Sequence, residues 1–280
     1  MTCAVYKIVF RLLSPLHCGW FKQGNVQRTR PYVTGKILWG ALTARLTRDV
    51  PDLGGDYVMV GQRVNAELAF TYLYPATGQD VDLWPWGDPD EFAWRYLNSY
   101  AGTALDYDRN AAEEGSLHET EFIAPVTRDG RPVYLVGYIF AREGCQLTWC
   151  EALGRLQLGG ERGYGWGRVR LVSTRKWDIG QPLFGQWSVQ PDTWPPVLEA
   201  KQGAPLLAHA LAADFNDGTL HRALAGIAGP VEPLVGRETV RADGFGAQVS
   251  PARICYAPGS SITDSSLVCQ IGPYGIWEAG

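Results

Sequence analysis

The sequence predicts an α+β fold, and three observations carry that prediction. Residues 4–14 (AVYKIVFRLLS) alternate apolar and polar as a strand does. Two stretches, 36–48 (KILWGALTARLTR) and Leu147–Leu158 (LTWCEALGRLQL), place apolar residues at the three-to-four spacing of a helix face. Strand-like sequence follows each of them, at 69–74 (AFTYLY) and at 168–172 (RVRLV). With a further strand at 132–141, the order reads strand, helix, strand, strand, helix, strand. That is the split βαβ, or ferredoxin-like, arrangement, expected over residues 1–175. Residues 176–280 are expected to form a second, reduced and β-rich domain, with strand-like pieces at 183–189, 253–256 and 266–271 and a helical pattern only at 205–213.

Taken in order, Ser14-Pro15 stops the first strand, and Leu16–Pro31 reads as a long loop carrying His17, Trp20, Phe21, Lys22, Arg28 and Arg30. Thr34-Gly35 opens the first helix, whose buried face is expected to hold Ile37, Leu38, Ala41, Leu42 and Leu46. Lys36 falls in the first turn, where a cation is unfavourable unless an anion lies nearby; helix-start N–H groups are themselves anion binders. Residues 76–121 carry eleven acidic residues against Arg95 and Arg109 and read as an inserted, irregular acidic subdomain. Clustered carboxylates there can hold a divalent metal, but no D-x-D-x-D-G loop is present, and a solvated or partner-facing surface is the better reading. Phe122–Val126 and Pro132–Ala141 read as a hairpin about the turn Arg128-Asp-Gly-Arg131.

Composition sets further bounds. A chain of 280 residues that is 46% hydrophobic has material for one large domain or two small ones. No run of 18 or more apolar residues occurs, which excludes a membrane-spanning helix, and no membrane partner is expected. The six cysteines contain no C-x-x-C pair and read as reduced, buried thiols of a cytoplasmic protein rather than a zinc site or disulfide frame. The net charge of −4 conceals an asymmetry: Met1–Arg48 holds eight Lys and Arg and no Asp or Glu. A single-signed segment of that length is a candidate footprint for a polyanion. Arg237, Arg241 and Arg253 add cations near the end of the chain.

The stretch Leu158–Arg170 (LGGERGYGWGRVR) is the most informative. Gly159, Gly160, Gly163, Gly165 and Gly167 alternate with Arg162, Tyr164, Trp166, Arg168 and Arg170. Glycine permits left-handed backbone and close approach, while arginine and aromatic side chains supply phosphate forks and stacking faces. No Gly-Lys-Ser/Thr closes it as a P-loop, and the strand-before, helix-after order of a dinucleotide fingerprint is reversed. The competing reading is an ordinary tight loop between helix and strand.

Three segments together resemble a known family: SPLHCGW at the end of the first strand, RTRPYVTGKILWGALTARL, and GGERGYGWGRVRL. They are similar to the RAMP superfamily of CRISPR–Cas proteins, in which a Pro-Tyr-Val-x-Gly-x-x-Leu-x-Gly-Ala segment begins the first helix of a ferredoxin-like (RNA-recognition-motif-like) domain and a glycine-rich loop precedes its last strand. The tail resembles the Cas-five group of type III, especially III-D, effector complexes. The resemblance implies a noncatalytic subunit that holds the 5′ handle of CRISPR RNA and caps the backbone filament. Its implied partners are CRISPR RNA, other RAMP or Cas subunits, and the target RNA or DNA such a complex meets. The implied RNA-binding residues are His17, Trp20, Lys22, Arg28, Arg30, Lys36, Gly159, Gly160, Arg162, Tyr164, Trp166 and Arg168.

Rival chemistry is thin. The Cas-seven group cleaves target RNA with an aspartate in the loop after the first strand; here Leu16–Gly35 has no carboxylate. The Cas-six group uses a histidine to process precursor RNA, and of His17, His118, His209 and His221 only His17 lies in the basic loop. A repeat-cleaving endoribonuclease using His17 is therefore the alternative, with a backbone subunit or protein–protein scaffold as a third. Asp214, Asp217 and His221 could be imagined as a metal cluster, but a capped turn is the plainer reading. Nothing in the sequence demands a cofactor.

Overall fold

The computed structural model describes residues 2–49, 56–213, 223–240 and 244–280. Strand β1 (Cys3–Leu12) is followed by β2 (Gly19–Gln23) and β3 (Val26–Thr29), so the expected long loop is a hairpin turning at Gly24, whose φ is +59°. Every residue of β2 is exposed, which is why no apolar alternation betrayed it. Helix α1 (Gly35–Asp49) buries Leu38, Leu42 and Leu46, as their four-residue spacing requires. Helix α2 (Tyr57–Glu67) is capped by Asp56, whose carboxylate accepts from the N–H groups of Val58 and Met59. Short strands β4 (Leu68–Phe70) and β5 (Tyr74–Ala76) come next.

The acidic stretch is ordered, not irregular. It holds helix α3 (Pro89–Tyr96), capped by Asp88 with Pro89 at its first position, then β6 (Leu97–Gly102), β7 (Leu105–Asp106), β8 (Ala111–Ala112) and β9 (His118–Ile123). Strand β10 (Tyr134–Arg142) follows the predicted turn, but the expected hairpin reduces to a single bridge, Val126 to Pro132, because β9 and β10 join different sheets. Helix α4 (Trp149–Leu153) is only five residues long. Leu156 and Leu158 are buried from extended backbone, so their spacing reflected core contacts and not a helical face. Strand β11 (Val169–Lys176) closes this half.

The remainder is nearly all strand: β12 (Ser188–Val189), β13 (Val197–Lys201), β14 (Ala210–Ala213), β15 (Ile227–Ala228), β16 (Val231–Leu234), β17 (Arg237–Val240), β18 (Gly244–Val249), β19 (Arg253–Tyr256), β20 (Ser261–Ile262), β21 (Ser266–Ile271) and β22 (Trp277–Glu278). The helical pattern at 205–213 is instead the run into β14: its alanines and leucines are buried on both sides, and such a run has no period. Asp214, Asp217, His221 and Arg241 lie outside the described residues.

Three sheets organise the chain. The first runs β11-β1-β10-β4, with β5 also on β10, all neighbours antiparallel. The second has seven strands, β12-β13-β21-β22-β14-β19-β16, and the third is β2-β3-β9-β6, in which the hairpin joins the acidic segment. Both faces of the first sheet are covered. Ile8, Phe10 and Leu12 pack with the leucines of α1 and with Val60, Val64 and Leu153 from α2 and α4. Val5, Tyr138 and Phe140, on the opposite face, meet Leu198 and Trp277 of the second sheet and Trp187 just before it. The six thiols are unpaired, with Cys18, Cys255 and Cys269 buried. Among the described residues no helix is long and apolar enough to cross a membrane, and no three His, Cys, Asp or Glu gather as a metal cluster.

Candidate nucleic-acid interface

The glycine stretch is fastened to the end of β1. Gly160 N–H donates to the His17 carbonyl at 2.9 Å, Gly167 N–H to that of Pro15 at 2.7 Å, and Leu158 N–H to that of Gly167 at 2.8 Å. Gly159 and Gly167 both take φ of +74°, and a Cβ on either would stand 2.3 Å from the His17 oxygen or 1.8 Å from the Leu158 oxygen. Their glycine identity is a steric requirement of this docking. Between them, Arg162–Tyr164 forms a single 3-10 turn.

Beside this junction opens a cleft of about 460 Å³. His17, Trp20, Arg30, Lys36, Gly159, Gly160 and Arg162 line it, seven of the twelve residues expected from sequence. The other five stand elsewhere. Lys22 is exposed on β2, and Arg28 pairs with Glu121 at 3.2 Å. Tyr164 is 83% exposed, and Trp166 packs edge-on against Phe122 at 5.1 Å, while Arg168 opens onto solvent beside Ser14, whose hydroxyl accepts its N–H. Two walls of the cleft come from the stretches singled out in the sequence, 17–36 and 157–162; a third comes from residues within 233–238, 250–253 and 274–276. Arg237 and Arg253 are visible in the sequence only as late cations, and no periodicity or motif links them or Tyr274 to residues some two hundred positions earlier, or brings in Tyr57 and Gln157.

Arg30 does not present a free fork to this cleft. It is 6% exposed; Nη1 donates to Glu232 Oε1 at 2.7 Å and Nη2 to Oε2 at 3.4 Å. Glu232 also accepts from the Trp20 indole at 2.8 Å and lies 2.6 Å from Nε2 of His209, whose Nδ1 is 2.6 Å from the Tyr72 hydroxyl. One proton arrangement satisfies all of these: Tyr72 donates to Nδ1, and Nε2–H donates to the carboxylate. Burial holds His209 below the ordinary histidine pKa, so the neutral ring this scheme needs is the favoured one. Burial alone would raise the Glu232 pKa, but hydrogen bonds from His209 and Arg30 pull it down to about 2. Trp20 lies over the Arg30 guanidinium at 5.5 Å.

His17 is buried, and its Nδ1 is 2.7 Å from the Glu121 carbonyl. A carbonyl only accepts, so Nδ1 carries a proton, and in the neutral tautomer this selects, Nε2 is the acceptor. Lys36 reaches over the Tyr274 ring at 5.2 Å and stands 3.9 Å from Glu238, too far for a hydrogen bond. Burial lowers its pKa, with Glu238 opposing. The acid-free segment is thus less bare than its sequence implies: among the described residues Lys7, Arg28, Arg30, Lys36 and Arg45 each have a carboxylate within 4.0 Å, all from beyond residue 48.

No protein-family model and no curated protein matches this chain. Solved structures do. A chain of the type III-B Cmr-beta complex bound to cognate target RNA superposes with a TM-score of 0.51 at 13% identity, over 92% of this chain and 86% of that one. A chain of the same complex bound to cognate target RNA and AMPPnP, in state 1, gives 0.51 and 13% over 91% and 85%. At that identity the likeness is one of fold: nearly the whole chain folds as does a chain of a type III CRISPR effector complex.

Proposed function

We propose that this chain is a noncatalytic RNA-binding subunit of a type III CRISPR ribonucleoprotein effector, holding the 5′ handle of the CRISPR RNA and capping the backbone filament. The reading rests on a ferredoxin-like RAMP domain at residues 1–175 and a reduced β-rich domain at 176–280. The strand order β11-β1-β10-β4, with α1 and α4 buried against one face, supports the first of these. The observation that carries the functional reading is the cleft. The glycine stretch and the start of α1, far apart in sequence, meet there with Lys36, Arg162, Arg237 and Arg253 around aromatic side chains. Cations that neutralise phosphates fix register, and aromatic faces receive unstacked bases. Ultraviolet crosslinking of the assembled complex should place CRISPR RNA on peptides within 17–36, 157–162 and 233–253. Crosslinks confined to other surfaces would overturn the assignment.

A second reading has one observation in its favour: His17 lines the same cleft, with Nδ1 committed to a carbonyl and Nε2 left as an acceptor. If the chain is instead a repeat-cleaving endoribonuclease, specific cuts in repeat RNA will appear with the wild type and vanish in His17→Ala.

A further inference from the structure

The cleft does not end at Lys36. A second recess of about 590 Å³ opens from it, sharing Lys36, Tyr57, Arg237, Glu238 and Tyr274 with the first. Its inner wall is aromatic. Trp39 stands edge-to-face with Tyr57 at 5.9 Å and with Tyr274 at 4.8 Å. The backbone makes room for this wall: a Cβ on Gly61 would lie 2.6 Å from the Trp39 ring, and the indole N–H donates to the Gly61 carbonyl at 3.0 Å. Tyr274 holds φ of +62°, a conformation that costs about 1–3 kcal/mol in a non-glycine residue. The rim is amide and charge, with Gln62 exposed and Asn65 half-buried on α2, and Glu238 on β17 opposite.

Three kinds of group therefore face one space: flat apolar rings, side-chain amides, and cations. A purely apolar ligand would desolvate two cations, Lys36 and Arg237, against the single carboxylate of Glu238, which stands 3.9 Å from Lys36. A metal ion would find one carboxylate, Glu238, among the lining groups. An isolated anion would leave the rings unused. A nucleotide uses all three, since its base stacks, its edge meets amides, and its phosphate meets cations. The volume lies within the range of about 300–1,000 Å³ common to small-ligand sites.

We infer that this recess is a nucleotide subsite, which takes one base swung out of the RNA strand held in the cleft and sets it against Tyr57, Trp39 and Tyr274, with its phosphate beside Lys36 and Arg237. The inference rests on the RNA-binding reading above and adds to it a discrete, base-dependent step on the far side of α1.

The full-length chain, alone and in its assembled complex, is tested by fluorescence anisotropy against synthetic CRISPR-repeat RNA in which a single abasic site is stepped along the strand. One position should stand out, where loss of the base weakens binding about fivefold or more, the value of one stacked base. In Tyr57→Ser that penalty should disappear. Gln62→Ala, on the exposed rim, should reduce it about twofold or more, the value of one lost hydrogen bond, and serves if the Tyr57 variant does not fold. A flat abasic scan with RNA still bound overturns the subsite and leaves the RNA-binding reading standing. Absence of RNA binding in both forms of the protein overturns both. Saturable binding of free AMP or UMP together with a flat scan also overturns the subsite as inferred, since the recess would then serve a free ligand.

Discussion

At Gly167 one methyl group decides whether the loop can dock. Its φ of +74° and the 1.8 Å approach of the Leu158 oxygen to any Cβ combine conformational and steric penalties. Gly163, four residues earlier, has nothing within 4 Å of its Cβ position and no left-handed φ. Gly167→Ala is therefore expected to destabilise the chain by about 2 kcal/mol or more, and Gly163→Ala to stay within about 0.5 kcal/mol. Chemical denaturation of the two variants beside the wild type measures the difference. Equal effects would mean that the loop is not held as described. The glycine count of the stretch was plain in the sequence, but which glycines are obligatory was not. That depends on the carbonyls of His17 and Leu158, which reach it through the fold.

Among the elements, the join between the β3–α1 connection and the second sheet is electrostatic. Arg30 follows β3, His209 precedes β14 and Glu232 sits on β16, so the buried network ties three elements across the wall of the cleft. Two depressed pKa values give this join a pH dependence. His209 is held below its ordinary value, so the unfolded chain binds the extra proton and stability is lost as pH falls below about 6.5. Glu232 is depressed from 4.5 to about 2, so its contribution is complete above 4.5 and is lost toward 2. The melting temperature should fall on acidification from pH 7. Glu232→Gln strands a buried guanidinium and should cost about 3 kcal/mol at pH 7. Its gap to the wild type should narrow as pH drops through 4, and a constant gap would refute the assignment. Elements with one consistent period were legible in advance, β1, α1, β11, β19 and β21 among them. Those defined by a partner were not: β2 and β3 become strands by pairing with each other and with β9, and α4 shortens because the apolar residues after it are buried from extended backbone.

For the whole molecule the proposed function raises the question of where an RNA strand would lie on a protein whose net charge is −4. The sequence offered two sets of cations without separating them, since Lys36 stands in the same acid-free segment as Lys22 and Arg28. The fold separates them: Lys36 and Arg162 line the cleft beside Arg237 and Arg253, whereas Lys22 and Arg28 belong to the hairpin and are outside its lining. Not all cleft cations are equally available, because Arg253 lies 3.5 Å from Glu278 and Arg30 is committed to Glu232. Counterion release measures how many remain: each phosphate contact with single-stranded RNA adds about −0.7 to the slope of log K against log salt. The wild type should give a slope of about −2 to −3, for three to four contacts. Arg162→Ala and Arg237→Ala should each make it shallower by about 0.7, while Lys201→Ala, on the exposed face of β13, leaves it unchanged. The hairpin variants Lys22→Ala and Arg28→Ala decide between the two sets. If they alone flatten the slope, the strand lies along the third sheet, and the cleft serves something else.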